Sequence, residues 1–171
     1  MSARDVAREV EDALANLERL VRAGQAPSHY VARHVLLALG QALREGQEAC
    51  GPWVERARTA GREGGESWRQ AVQDELTLAC GEFAQCLDPR YLNLPNYDRE
   101  YTRSARARLE DRLRSARELG FEPSPREIEV LELADRVLAA SGGHNRDGAP
   151  PSSAPQDAWT PDRPSHNDGR N

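Results

Sequence analysis

The chain has 171 residues, 23 of them basic and 28 acidic, and a net charge of −5 at pH 7. A mildly acidic chain of this length can build one core of ordinary size, and its charge argues against broad, nonspecific binding to nucleic acid or anionic membranes. Every basic residue is arginine, a bias typical of GC-rich bacterial genomes. The start of the chain lacks the apolar region of a signal peptide, and no apolar run reaches the ~18 residues of a membrane-spanning helix. We therefore expect a soluble cytoplasmic protein that does not bind membranes.

The chain changes character at Ser141. Before this residue, apolar side chains recur at helical spacing in nearly every segment. After it, 31 residues contain five prolines, four glycines, four serines and four aspartates. Such a composition buries too little apolar surface to offset the entropy of ordering. We predict a helical domain over residues 1–140 and a disordered tail over 141–171, in which Trp159 is either a short docking motif or an ordinary linker residue.

The first half of the domain predicts three helices. The first spans 3–23 and is capped by Ser2, with Asp5 placed for a capping box. The second spans 27–49, and its middle, residues 35–39, is apolar most of the way round, which predicts that this is the most buried helix. Its Gly40 suggests that a neighbouring element approaches closely. A short helix over 52–60 follows, and the glycine-rich segment 61–65 is predicted to be a loop.

The second half predicts three further elements. A helix over 68–87 is followed by the apolar linker 88–96, which we expect to pack onto the bundle. The fifth helix spans 97–119 with Asn96 as its N-cap, and the sixth begins at Ser124, with Pro125 and Glu127 in its first turn. Since no segment shows strand alternation, the predicted fold is an all-α antiparallel bundle of five to six helices.

The fifth helix carries the strongest charge pattern in the chain. Between residues 99 and 117 there are seven arginines and three acidic residues, a net charge of +4 in an otherwise acidic protein. At 100° per residue, five of these arginines share one stripe, whereas Tyr101 falls on the predicted core face. The arginine stripe consists of Arg99, Arg103, Arg106, Arg114 and Arg117. Tyr97 and Tyr101 lie beside it in the sequence.

Two functional hypotheses follow from this stripe, next to the alternative that it is a solvated face paired with Glu110 or with acids of the sixth helix. The first is a small interaction or adaptor protein, regulatory or self-associating, whose stripe binds an acidic protein or whose apolar faces bind a second copy. The second is a nucleic-acid-binding protein, with the arginines on phosphates and Tyr97 or Tyr101 stacking on bases.

An enzyme is the least favoured class, since no catalytic motif is present and we assign no catalytic residue. Three cysteines, Cys50, Cys80 and Cys86, are an odd number without metal-ligand spacing, and we expect free thiols. We therefore predict neither a metal nor a cofactor.

Overall fold

The computed structural model describes residues 2–94 and 97–140, which form six α-helices and no strand. The helices are α1 Ala3–Arg22, α2 His29–Arg44, α3 Cys50–Cys86, α4 Pro89–Leu92, α5 Arg99–Glu118 and α6 Pro125–Ala140. This confirms the all-α prediction. None of the helices in the described ranges is long and apolar enough to cross a membrane. The predicted disordered tail, including Trp159, lies outside the described residues.

Helix α2 is the centre of the bundle, because it packs against α1, α3 and α5. Seven of its sixteen residues are buried, as its apolar sequence predicts. It runs antiparallel to α5: Leu36 lies opposite Ser115, whose hydroxyl donates to the Leu36 carbonyl at 2.7 Å, and Gly40 lies opposite Asp111.

The predicted end of the second helix is wrong by five residues. The helix stops at Arg44, because Gly46 adopts a positive φ of 65°. The backbone N–H of Gly46 donates to the Leu43 carbonyl, and that of Gln47 donates to the Ala42 carbonyl. This is the hydrogen-bonding pattern of a glycine-terminated helix. The third helix starts at Cys50, with Pro52 in its first turn, where proline is tolerated.

Helix α3 consists of two limbs that meet at Gly65, and the predicted loop over 61–65 is wrong. Only Gly65 leaves the helical region, with φ 57° and ψ −135°, a conformation that favours glycine. Gly61 and Gly64 stay helical, and the Trp68 side chain packs against both of them. A Cβ on Gly61 would lie 2.7 Å from the indole nitrogen of Trp68. These two glycines therefore make room for a tryptophan.

The helix starts follow the sequence signals closely. Ser2 and Asp5 form the predicted capping box on α1. Helix α5 begins two residues later than predicted, because the Asp98 side chain accepts from the backbone N–H of Glu100. The predicted cap Asn96 lies outside the described residues. Helix α6 begins as predicted, with the Ser124 N–H donating to the Glu127 carboxylate at 2.5 Å. These confirmed starts reflect contacts within one helical turn.

Candidate functional site

Two arginines of the predicted stripe hold α6 against α5. Arg99 donates to the backbone carbonyl of Leu138 in the last turn of α6. Arg106 forms ion pairs with Glu110 at 3.0 Å and with Asp135 of α6 at 2.9 Å. The Nε atoms of both arginines are buried without a hydrogen-bond partner among the described residues. These guanidinium groups are therefore largely committed to the α5–α6 contact.

The other three stripe arginines do not form one patch. Arg103 pairs locally with Glu100 at the start of the helix. Arg114 donates at 2.7 Å to Asp111, which also accepts from Arg44 of α2. Arg117 is exposed, and its guanidinium group has no hydrogen bond or ion pair within the described residues. Four of the five arginines thus have protein partners, and the most exposed two, Arg103 and Arg117, lie ~21 Å apart along the helix.

The two tyrosines of the predicted site have different environments. The Tyr97 hydroxyl donates to the hydroxyl of Thr102 at 2.7 Å, which ties the segment before α5 to its first turn. Tyr101 is 56% exposed, so its predicted place in the core is wrong. Thr102 is buried in its stead, as are Leu109, Leu113 and Ala116 further along the helix.

The linker that was predicted to pack onto the bundle stands out from it. It forms the short helix α4, in which no residue is buried. Tyr91 is 55% exposed and Leu94 is 47% exposed. The helix is capped by Asp88, whose carboxylate accepts hydrogen bonds from the side chain and the backbone N–H of Arg90. These bonds lower the pKa of Asp88 to about 2. With Tyr101 in the first turn of α5, Tyr91 and Leu94 make three exposed large apolar side chains within eleven residues of the chain.

A buried ion cluster that the sequence analysis missed joins α2, α3 and α5. Glu75 is completely buried, and its carboxylate accepts from Arg33 Nε at 3.0 and 3.1 Å. Arg112 Nε donates to the same carboxylate at 2.8 Å. The hydrogen bond to Glu75 raises the pKa of Arg33, whereas burial lowers the pKa of Arg112. The only sequence signal was that each of these residues falls on a helix face that otherwise carries apolar side chains.

A second feature without a sequence signal is an open cleft on the concave side of the α3 bend. Its volume is about 880 Å³, and both limbs of α3 and the α5–α6 loop line it. Trp68 and Leu76 are nearly fully buried beneath it, and Phe121 is partly buried on its wall. We call it the bend cleft. Its size is typical of small-molecule sites.

Three arginines and two glutamates line the bend cleft. Arg58 is held in place, since it donates at 2.8 Å to the Glu118 carbonyl and pairs with Glu55 at 2.6 Å. Arg62 has a single described partner, the Thr59 hydroxyl at 3.1 Å. Arg69 lies 3.7 Å from Glu66, an exposed pair that contributes little. The lining therefore carries one excess positive charge, and two of its guanidinium groups have donors to spare.

The histidines and cysteines of the described ranges form no site. His34 lies 3.2 Å from Glu9 across the α1–α2 contact, and His29 stacks on Tyr30. All three cysteines are free thiols, and burial raises the pKa of both Cys50 and Cys80. Within residues 2–94 and 97–140, no group of three or more metal-ligating side chains comes together.

Comparisons with protein-family models, with curated proteins and with solved structures found no match to this chain.

Proposed function

We propose that this protein is a helical interaction protein that binds an acidic protein partner. The proposed binding surface, which we call the α4 surface, consists of Tyr91, Leu94 and Tyr101 with Arg90 and Arg103 beside them. The observation that carries the proposal is the exposure of three large apolar side chains within eleven residues: Tyr91 on α4, Leu94 just after it and Tyr101 in the first turn of α5. Where exposed apolar side chains lie together, they are typical of protein interaction sites.

The chemistry of the α4 surface supports an acidic partner. Tyrosine and arginine are the residue types that most often carry binding energy at protein interfaces. The side chains of Arg90 and Arg103 are 87% and 48% exposed. A partner that offers an apolar side chain flanked by carboxylates would meet both the rings and the guanidinium groups. The proposal keeps Tyr101 and Arg103 of the predicted partner-binding residues and adds Arg90, Tyr91 and Leu94.

A second copy of the chain is the competing occupant of this surface. The apolar stripe of α1, which suggested self-association, is largely used within the bundle, since Val6, Val10, Ala13, Leu14 and Leu17 are all buried. The α4 surface is therefore the better candidate. We place the interaction in the cytoplasm, in keeping with an odd number of cysteines.

Site-specific photocrosslinking tests the proposal. The benzophenone amino acid replaces Tyr91 in one variant and Tyr30, a tyrosine that is 65% exposed on α2, in the control. We expect a discrete adduct from position 91 and none from position 30. The captured protein, once identified and purified, should bind the full chain. Y91A/L94A should weaken that binding by ~30-fold or more, as expected for a central contact, while Y30A leaves it unchanged.

Two results would contradict the proposal. Equal adducts from both positions would mean that position 91 reports general exposure, and unchanged affinity in Y91A/L94A would remove the surface from the interface. Sedimentation equilibrium addresses the second copy directly: a dimer that Y91A/L94A converts to monomer would replace the acidic partner with the chain itself.

A further inference from the structure

We propose that the bend cleft binds a small ligand in which an oxyanion, phosphate or carboxylate, is joined to an apolar ring. This site is separate from the α4 surface and does not depend on it. The proposal rests on three features of the cleft: its position between three chain segments, its aromatic and aliphatic lining, and the guanidinium groups at its edge.

The guanidinium groups define the anionic part of the ligand. Arg62 and Arg69 stand on opposite limbs of α3, one on each side of Gly65. Among the described residues, Arg69 has one ion pair, an exposed one with Glu66 at 3.7 Å, and Arg62 has none. Arginine binds phosphate and carboxylate through paired N–H donors, so two such groups around one cleft favour an oxyanion. Glu122 and the buried Glu127 also line the cleft, and the three arginines outnumber them by one.

The lining defines the apolar part. Trp68, Leu76 and Phe121 come from two elements, the distal limb of α3 and the loop after α5. Gly61 and Gly64 hold the Trp68 ring in place from the other limb. Ligand sites combine such apolar walls with a few oriented polar groups. The bend at Gly65 brings both kinds of group to one place, since a straight helix would carry Arg62 and Arg69 along its surface without a concave side.

A titration of the full-length ¹⁵N-labelled protein with phenyl phosphate, followed by NMR, tests the proposal. We expect saturable shifts of the Trp68 indole N–H and of the Gly120 and Phe121 amides, with no shift of the Trp53 indole N–H. Phenol, the uncharged counterpart, should bind at least ~10-fold more weakly, because it lacks the charge-assisted contacts.

Variants separate the cleft from general surface charge. R62Q/R69Q should weaken phenyl phosphate binding by ~10-fold or more, since two charge-assisted contacts are lost. R4Q/R8Q removes two exposed arginines from the N-terminal half of α1, outside the cleft lining, and should leave the affinity unchanged. Circular dichroism checks that each variant is folded, and R62Q alone serves if the double variant is not. Equal affinity in the cleft variant and the wild type, or equal binding of phenol, would overturn the proposal.

Discussion

Gly40 of α2 lies directly against the backbone of Asp111 in α5: a Cβ on Gly40 would lie 2.0 Å from the Asp111 carbonyl oxygen. The neighbouring atom belongs to the backbone of a packed helix, so relief requires the two helices to move apart. The buried hydroxyl of Ser115 spans the same contact and donates to the Leu36 carbonyl. One glycine and one serine thus set the close approach of α2 and α5.

The first prediction concerns this contact. Gly40→Ala should lower the free energy of unfolding by ~2–4 kcal/mol, because the clash outweighs the ~1 kcal/mol by which alanine favours a helix. The matched control is Gly81→Ala in α3, where a Cβ would meet nothing within 4 Å. That variant should gain ~0.5–1 kcal/mol. Urea denaturation of both variants measures the difference, and equal stabilities would contradict the prediction.

The second prediction concerns the buried ion cluster. Glu75→Ala should destabilise the fold by ~3–5 kcal/mol, since it leaves Arg112 buried without its counter-charge. Glu100→Ala removes a carboxylate from the exposed pair with Arg103 and should cost at most ~1 kcal/mol. Thermal and urea unfolding compare the two variants. A loss at Glu75 no greater than that at Glu100 would show that the cluster is well solvated.

The third prediction is a pH dependence that involves Glu11. The Glu11 carboxylate accepts hydrogen bonds from Arg56 and from the Trp53 indole N–H, each at 2.6 Å. These hydrogen bonds lower the pKa of Glu11 in the folded state. A lowered folded-state pKa means that the ionised carboxylate stabilises the fold above the unfolded-state value of ~4.3. That stabilisation disappears as the pH falls through the lower pKa of the folded state.

Glu11→Gln tests this dependence. Its loss of stability relative to the wild type should be largest at pH 7 and should shrink steadily below about pH 4.3. Glu48→Gln, at an exposed position between α2 and α3, should show no such trend. Urea denaturation at several pH values from 7 to 3 provides the comparison. A difference between Glu11→Gln and the wild type that stays constant over this range would contradict the assignment.

The fourth prediction concerns nucleic acid. Because Arg99, Arg106 and Arg114 are engaged with α6 and Asp111, we expect no micromolar binding of duplex DNA or single-stranded RNA in fluorescence anisotropy at low salt. If binding is observed, the logarithm of the binding constant should fall with the logarithm of the salt concentration, with a slope of ~0.9 per phosphate neutralised on duplex DNA. Loss of that binding in R103E/R117E, the two most exposed stripe positions, would restore the nucleic-acid hypothesis.

The sequence by itself determined what depends on near neighbours in the chain. The capping box of Ser2 and the start of α6 at Ser124 were predictable because their hydrogen bonds close within three residues. The burial of α2 was predictable from its apolar middle. The close approach of a neighbour was predictable because Gly40 lies inside a helix, where glycine is unfavourable. Local signals also misled where a glycine had two possible roles: at Gly46 it ended a helix early, and at Gly61 it accommodated Trp68.

Only the tertiary structure decided the functional surfaces. An arginine on an exposed stripe becomes accessible or engaged according to which carboxylates a distant helix brings, as Asp135 does for Arg106. Whether the apolar linker is buried depends on whether another helix packs against it, and Tyr91 remains exposed. The bend cleft exists because Gly65 turns α3 back toward the α5–α6 loop. All three are contacts between residues far apart in the chain, and helical periodicity carries no information about such contacts.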